Sequence, residues 1–177
     1  MSYRRFGPGE EATEFEPGDF ILTHRDGPIP RLIRAGQRLR YRGADRPYAH
    51  WSHAALIADK DGAIVEAEAS GVRRDNLSRY KETEYHVVHL GQTASERDRR
   101  QAVAFAERLV GQAFGFGEML AISLSLLSSR RLSFTRKSHL ICSVLVARAL
   151  ERTDAVFELD PGAMLPADLA KHYGVKP

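Results

Sequence analysis

Three residue types that make up a thiol nucleophile, its base and the base's support are spread along this chain. Cys142 is the only cysteine. It lies in Ser138-His139-Leu140-Ile141-Cys142-Ser143-Val144-Leu145-Val146, which reads as a loop turning into a helix with Cys142 in the first turn. Unpaired N–H groups and the positive end of the helix dipole favour the thiolate there, and the thiolate is the nucleophilic form. Far upstream, Trp51-Ser52-His53 heads a short apolar run that ends at Ala58. The run Ala63-Ile64-Val65-Glu66-Ala67 follows and carries a carboxylate among apolar neighbours. Such a set can open an acyl bond by covalent catalysis.

The elements that must position these groups are legible from pattern. Residues 53–58 and 63–67 predict a hairpin, with Asp59-Lys60-Asp61-Gly62 as the turn. The hairpin would bring His53, at the head of one strand, beside Glu66, near the end of the next. Pro17-Gly18-Asp19 predicts a turn into a first strand, Phe20-Ile21-Leu22-Thr23, and Tyr85–Leu90 predicts another strand. Residues 30–40 have apolar side chains at 32, 33, 35 and 39 and predict a helix whose polar face carries Arg31, Arg34 and Arg38. Ser95 and the acids after it predict a helix start, and Gly111 its end. Residues 118–127 form a further apolar helix candidate, and the final helix or turn lies near Leu165–Ala170. Residues 1–16 are polar, contain Gly and Pro, and read as a loose arm before a single domain spanning 17–177.

Composition narrows the class. A chain of 177 residues is long enough to bury a sizeable core. One cysteine excludes an internal disulfide. The net charge of +3 permits attraction to an anionic surface without selecting one, and no nucleic-acid partner is expected. No apolar signal core or membrane-length run is present, so the expected address is the cytoplasm, with export by a signal-less route left open.

Taken in order, Pro17-Gly18-Asp19-Phe20-Ile21-Leu22-Thr23, Trp51-Ser52-His53, Ile64-Val65-Glu66-Ala67 and Ile141-Cys142-Ser143 resemble the circularly permuted NlpC-type papain-like hydrolases. The YiiX-like branch is the nearest in pattern, with lecithin retinol acyltransferase a more distant relative. The resemblance covers residues 17–170. It implies an α+β fold in which a small antiparallel sheet or partial barrel packs against helices, with the nucleophile at a helix N-terminus. It also implies Cys142 as nucleophile, His53 as base and Glu66 as the residue orienting His53, with histidine before cysteine, the reverse of papain order. The implied activity is a cysteine-dependent hydrolase or acyltransferase acting on a peptide or lipid-like substrate without a cofactor. The alternative is a non-catalytic binding module that holds an anionic surface through the arginines at 31–42.

Each role has a rival nearby. His50 lies three residues before His53, but counting back from the Asp61-Gly62 turn favours His53. Glu68 shares a strand face with Glu66, which stands in the family's Val-Glu-Ala position and is preferred. Trp51 and Ser52 flank the histidine and are expected to line the substrate cleft. Thr23, His24 and His139 are read as ordinary structural or surface residues. No histidine has the spacing of a metal motif, and Gly111, Gly115 and Gly117 lack the lysine of a phosphate loop. By pattern alone, Glu66→Gln is expected to keep part of the activity, because an amide still orients His53.

Overall fold

A computed structural model of the chain describes residues 2–113, 141–153, 155 and 157–177. The expected helix at 118–127, Gly115, Gly117 and His139 lie outside the described residues. One mixed α+β body is built on a single antiparallel sheet. Its strands are β1 (Ser2–Phe6), β2 (Phe20–Thr23), β3 (His53–Ile57), β4 (Ala63–Glu68), β5 (Gly71–Asn76) and β6 (Tyr85–His89). They lie in the order β1-β6-β2-β3-β4-β5, so β1 and β5 are edges and the sheet is open. The described α-helices are α1 (Pro28–Arg40), α2 (Glu96–Leu109), α3 (Cys142–Leu150) and α4 (Pro166–His172). No described helix is long and apolar enough to cross a membrane.

The two sheet faces bury different partners, as period-two alternation requires. Phe20, Leu22, Ala54, Leu56, Val65 and Val88 face α2, α3 and α4 in the main core. Ile21, Ala55, Ile57, Ile64 and Val87 form a second core with Leu77, Tyr80 and Tyr85. Helix α3 is apolar around most of its surface because it is buried on most sides, with Leu145, Val146, Ala149 and Leu150 fully enclosed. Each such Leu or Val contributes about 1.5–3 kcal/mol of burial.

The first sixteen residues are not a loose arm. Ser2–Phe6 pairs with β6 from Ser2↔His89 to Phe6↔Tyr85. At the sheet edge Ser2, Tyr3, Arg4 and Arg5 all face water, so no apolar alternation marks the strand, and Phe6 alone is buried, stacked on Tyr85. Ala12 and Phe15 then pack against the second core, and the Ala12 N–H donates to the Tyr85 hydroxyl at 2.9 Å. Helix α1 also differs from its predicted orientation. Arg34, Gly36 and Gln37 form its buried face, while Leu39 is 51% exposed. Polar anchoring decides this: Gln37 donates to the Trp51 carbonyl at 2.7 Å and accepts from the Ala167 N–H at 3.0 Å.

The turn into β2 is locked by a buried carboxylate. Gly18 has φ +92°, and a Cβ there would meet the Arg99 side chain at 3.2 Å. That close approach lets Arg99 donate to Asp19 at 2.8 Å, while Asp19 also accepts from the Leu90 N–H and faces the His89 ring, both at 3.0 Å. Asp19→Ala removes the buried carboxylate that faces Arg99 but leaves the Pro17 and Gly91 carbonyls and Glu16, and is expected to cost about 1.5–3 kcal/mol in urea unfolding. A loss below about 1 kcal/mol would show that these remaining partners suffice.

Candidate active site

The hairpin forms as its sequence dictates. Asp59 Oδ1 accepts from the N–H groups of Asp61 and Ala63, and Gly62 takes φ +82° to close the turn. The β3–β4 ladder pairs Ile57↔Ile64 and Leu56↔Val65 and goes no further. Continuing that register would set Glu66 opposite Ala55 and Glu68 opposite His53. His53 therefore reaches Glu66 on the diagonal, with Nε2 at 2.7 Å from Glu66 Oε2. Glu68 is taken up instead by Arg25, with Arg73 at 3.5 Å.

Cys142 is the first residue of α3, and its thiol faces the His53 imidazole and lies near the backbone N–H groups of Ala54 and Ser143. With Nε2 committed to Glu66, Nδ1 is the imidazole nitrogen left for the thiol. Ile141 supplies no side-chain cap to the first-turn amides. The Ser143 hydroxyl donates to the Met164 carbonyl at 2.7 Å and fixes the start of the helix. His53 is 5% exposed and Glu66 0% exposed, so each charge must be held by a partner.

Glu66 is held from three sides. Arg73 donates through Nε at 3.0 Å and Nη2 at 2.8 Å to Oε1, and the Tyr80 hydroxyl donates to Oε2. Burial would raise its pKa, but His53, Tyr80 and Arg73 outweigh burial and hold it at about 2. Burial works against charge on His53 too, yet the Cys142 thiolate and then Glu66 raise it to about 10. Burial pushes the Cys142 thiol up, but the charge and hydrogen bond of His53, then the Ala54 and Ser143 amides, bring it below its ordinary value. All three shifts favour a resting thiolate–imidazolium pair backed by an ionised carboxylate.

The thiol opens into a cavity of about 250 Å³. Ile29, Pro30 and Ile33 of α1, Ala67 and Ala69 after Glu66, and Ile141, Leu165 and Pro166 give it apolar walls. Arg25, Asp26 and Glu68 form its charged edge. Ser52 lines it as well, but its Oγ accepts from the Arg25 N–H at 2.9 Å and so holds the Arg25 loop. Trp51 is not a cleft wall: it is fully buried in the main core and donates to the Val175 carbonyl at 3.0 Å. A large ring with one N–H donor fills a core site where that donor finds a carbonyl. His50 lies on Glu84 at 3.0 Å and against the His24 ring, and Thr23 donates to the Glu84 carbonyl. His50 therefore belongs to a separate cluster.

Compared with known proteins, the chain matches no family model and no curated sequence.

His53, Glu66 and Glu68 bring one ligand atom each within 4.8 Å of one another, which raises the question of a metal. The carboxylates already face the guanidinium groups of Arg73 and Arg25. These fixed cations take the place of a metal charge, so the group does not suit one. Pattern reading missed Arg73 and Tyr80, because Arg73-Arg74-Asp75-Asn76 reads as a polar connection although it forms β5 opposite β4, with Arg73 paired to Glu66. A usable signal was present: a carboxylate inside an apolar strand demands a counter-ion, and a cation soon after the next turn is the natural source.

Proposed function

We propose that this protein is a cysteine-dependent hydrolase or acyltransferase, with Cys142 as nucleophile, His53 as acid and base, and Glu66 as the residue that orients His53. One observation carries the reading: thiol, imidazole and carboxylate meet in a single buried relay beside an apolar cavity. In this reading the thiolate attacks an acyl carbonyl and a C–S bond forms. The oxyanion develops near the Cys142 N–H at the head of α3, which the Ile141 side chain does not cap. The His53 imidazolium then protonates the leaving amine or alcohol as its bond to carbon breaks. Neutral His53 takes a proton from water or from an acceptor alcohol or amine, which attacks the thioester and frees Cys142. The apolar walls favour an apolar acyl group or side chain next to the reacting carbonyl. The chain order of strand histidine, strand glutamate and helix cysteine supports the permuted papain-like fold, also as part of this proposal.

The pH dependence of alkylation tests it. Thiolate forms as pH rises through the lowered Cys142 value and stays paired until His53 loses its proton near 10. Iodoacetamide labelling of Cys142, followed by intact mass, is expected to be fast well below the free-thiol value of about 8.5. A change in slope is expected near pH 10. An apparent pKa at or above about 8.5 would remove the basis for the nucleophile. With activated acyl esters, a mass adduct on Cys142 that hydroxylamine removes is the expected intermediate.

A further inference from the structure

The positive charge of this chain is concentrated on one segment. Residues 27–50 hold six arginines and one carboxylate, Asp45, although the whole chain is only +3. The rest of the molecule is therefore net negative. Asp45 is engaged by Lys171 at 2.6 Å. Among the described residues, no acidic side chain pairs with Arg31, Arg38, Arg42 or Arg46, and all four are exposed.

Two of these cations share one line. Arg31, Ala35 and Arg38 follow at steps of four and three residues, which keeps them on one side of α1, and Arg42 follows in extended backbone just past the helix end, its Nε donating to the Leu39 carbonyl at 3.1 Å. Leu39 sits beside that line and is one of the few large apolar side chains left half-exposed among the described residues. Arg34 and Gln37, across the helix from Leu39, are fixed inward, so the helix cannot roll to hide Leu39. Its first turns supply Ile29, Pro30 and Ile33 to the cavity that holds Cys142.

From this placement we infer that the outer face of α1 docks on an anionic phospholipid bilayer, with the cavity mouth beside the membrane surface. A cationic face carrying an exposed leucine is the pattern of a helix lying in the interface plane. Each arginine near an anionic leaflet contributes about 1 kcal/mol, close to a fivefold gain in partitioning. The same charges would attract nucleic acid, but the stripe offers no exposed aromatic ring for a base to stack on, and Leu39 gains nothing from phosphate. The inference needs no chemistry from Cys142.

Vesicle sedimentation with the full chain tests it. The wild type and Cys142→Ala are both expected to bind phosphatidylcholine vesicles containing one-third phosphatidylglycerol, and to ignore pure phosphatidylcholine. Binding should fall as salt rises and the Debye length shrinks. The triple variant Arg31→Gln/Arg38→Gln/Arg42→Gln is expected to lose about 100-fold in partitioning. Arg97→Gln/Arg100→Gln/Arg108→Gln on α2 changes net charge equally and should lose little. Leu39→Ser should weaken vesicle binding further. Circular dichroism confirms that each variant is folded before it is scored. Three results would overturn the inference: no wild-type binding at low salt, equal loss in both triple variants, or oligonucleotide binding that is unmoved by Leu39→Ser while vesicles are not bound. Failure here would leave the alkylation and acyl-adduct results standing, and the reverse also holds.

Discussion

His53→Ala is expected to reduce acyl transfer by at least about 10⁴-fold. In the proposed scheme the imidazole does two jobs that no neighbour can take over: it stabilises the thiolate of a cysteine that burial alone would hold as a neutral thiol, and it returns a proton to the leaving group. His50 cannot substitute, because it is held by Glu84 in another cluster. Cys142→Ala is expected to lose as much, and the double variant no more than either, since the two act as a unit. Turnover of an activated acyl ester, with alkylation followed on the His53 variant, measures both effects. Retained turnover in His53→Ala would remove the base from the scheme.

Glu66→Gln has the second largest expected effect, about 10²- to 10⁴-fold in turnover. Sequence pattern alone predicts a milder loss, and the geometry argues for more. Both carboxylate oxygens accept only: Oε1 from two Arg73 nitrogens, Oε2 from His53 and Tyr80. An amide must turn an N–H₂ toward one of these pairs. Facing Arg73, it opposes a guanidinium. Facing His53, it donates to Nε2 and moves the imidazole proton to Nδ1, the nitrogen that must accept from Cys142. Glu66→Ala leaves the buried His53 and the Tyr80 hydroxyl without their carboxylate, while Arg73 keeps Asp75 at 3.2 Å, and is expected to cost about 3–5 kcal/mol of stability. Tyr80→Phe removes one donor only and should keep most activity. Comparing turnover with unfolding free energy separates the cases. If Glu66→Gln were as active as the wild type, the orienting role would pass to Glu68.

Legibility followed the kind of burial involved. Phe20–Thr23, the hairpin and the cysteine helix are buried against apolar neighbours, so alternation and helix-start signals report them directly. Glu66 stood out because a carboxylate inside an apolar strand is unusual. The pattern failed where polar groups do the anchoring. Helix α1 turns Arg34 and Gln37 inward because backbone carbonyls there need donors, which hydropathy cannot express. Strand β5 hides among charges that pair across the sheet, and β1 hides because edge strands face water. Trp51 departs from its expected place for a related reason: a ring beside a candidate base invites a cleft role, but its N–H is satisfied by Val175, near the other end of the chain.

The relay also sets an order of events during synthesis. The base and its carboxylate lie on neighbouring strands and leave the ribosome early. The thiol comes much later, and the Leu165–Pro166 wall of its cavity later still. Until those segments dock, Cys142 has neither the imidazole nor the helix-end amides that lower its pKa in the folded protein, and it is expected to behave as an ordinary, sluggish thiol. The nascent chain therefore carries no activated nucleophile while its apolar strands are exposed to other proteins. In the proposed scheme reactivity arrives only with completion of the fold.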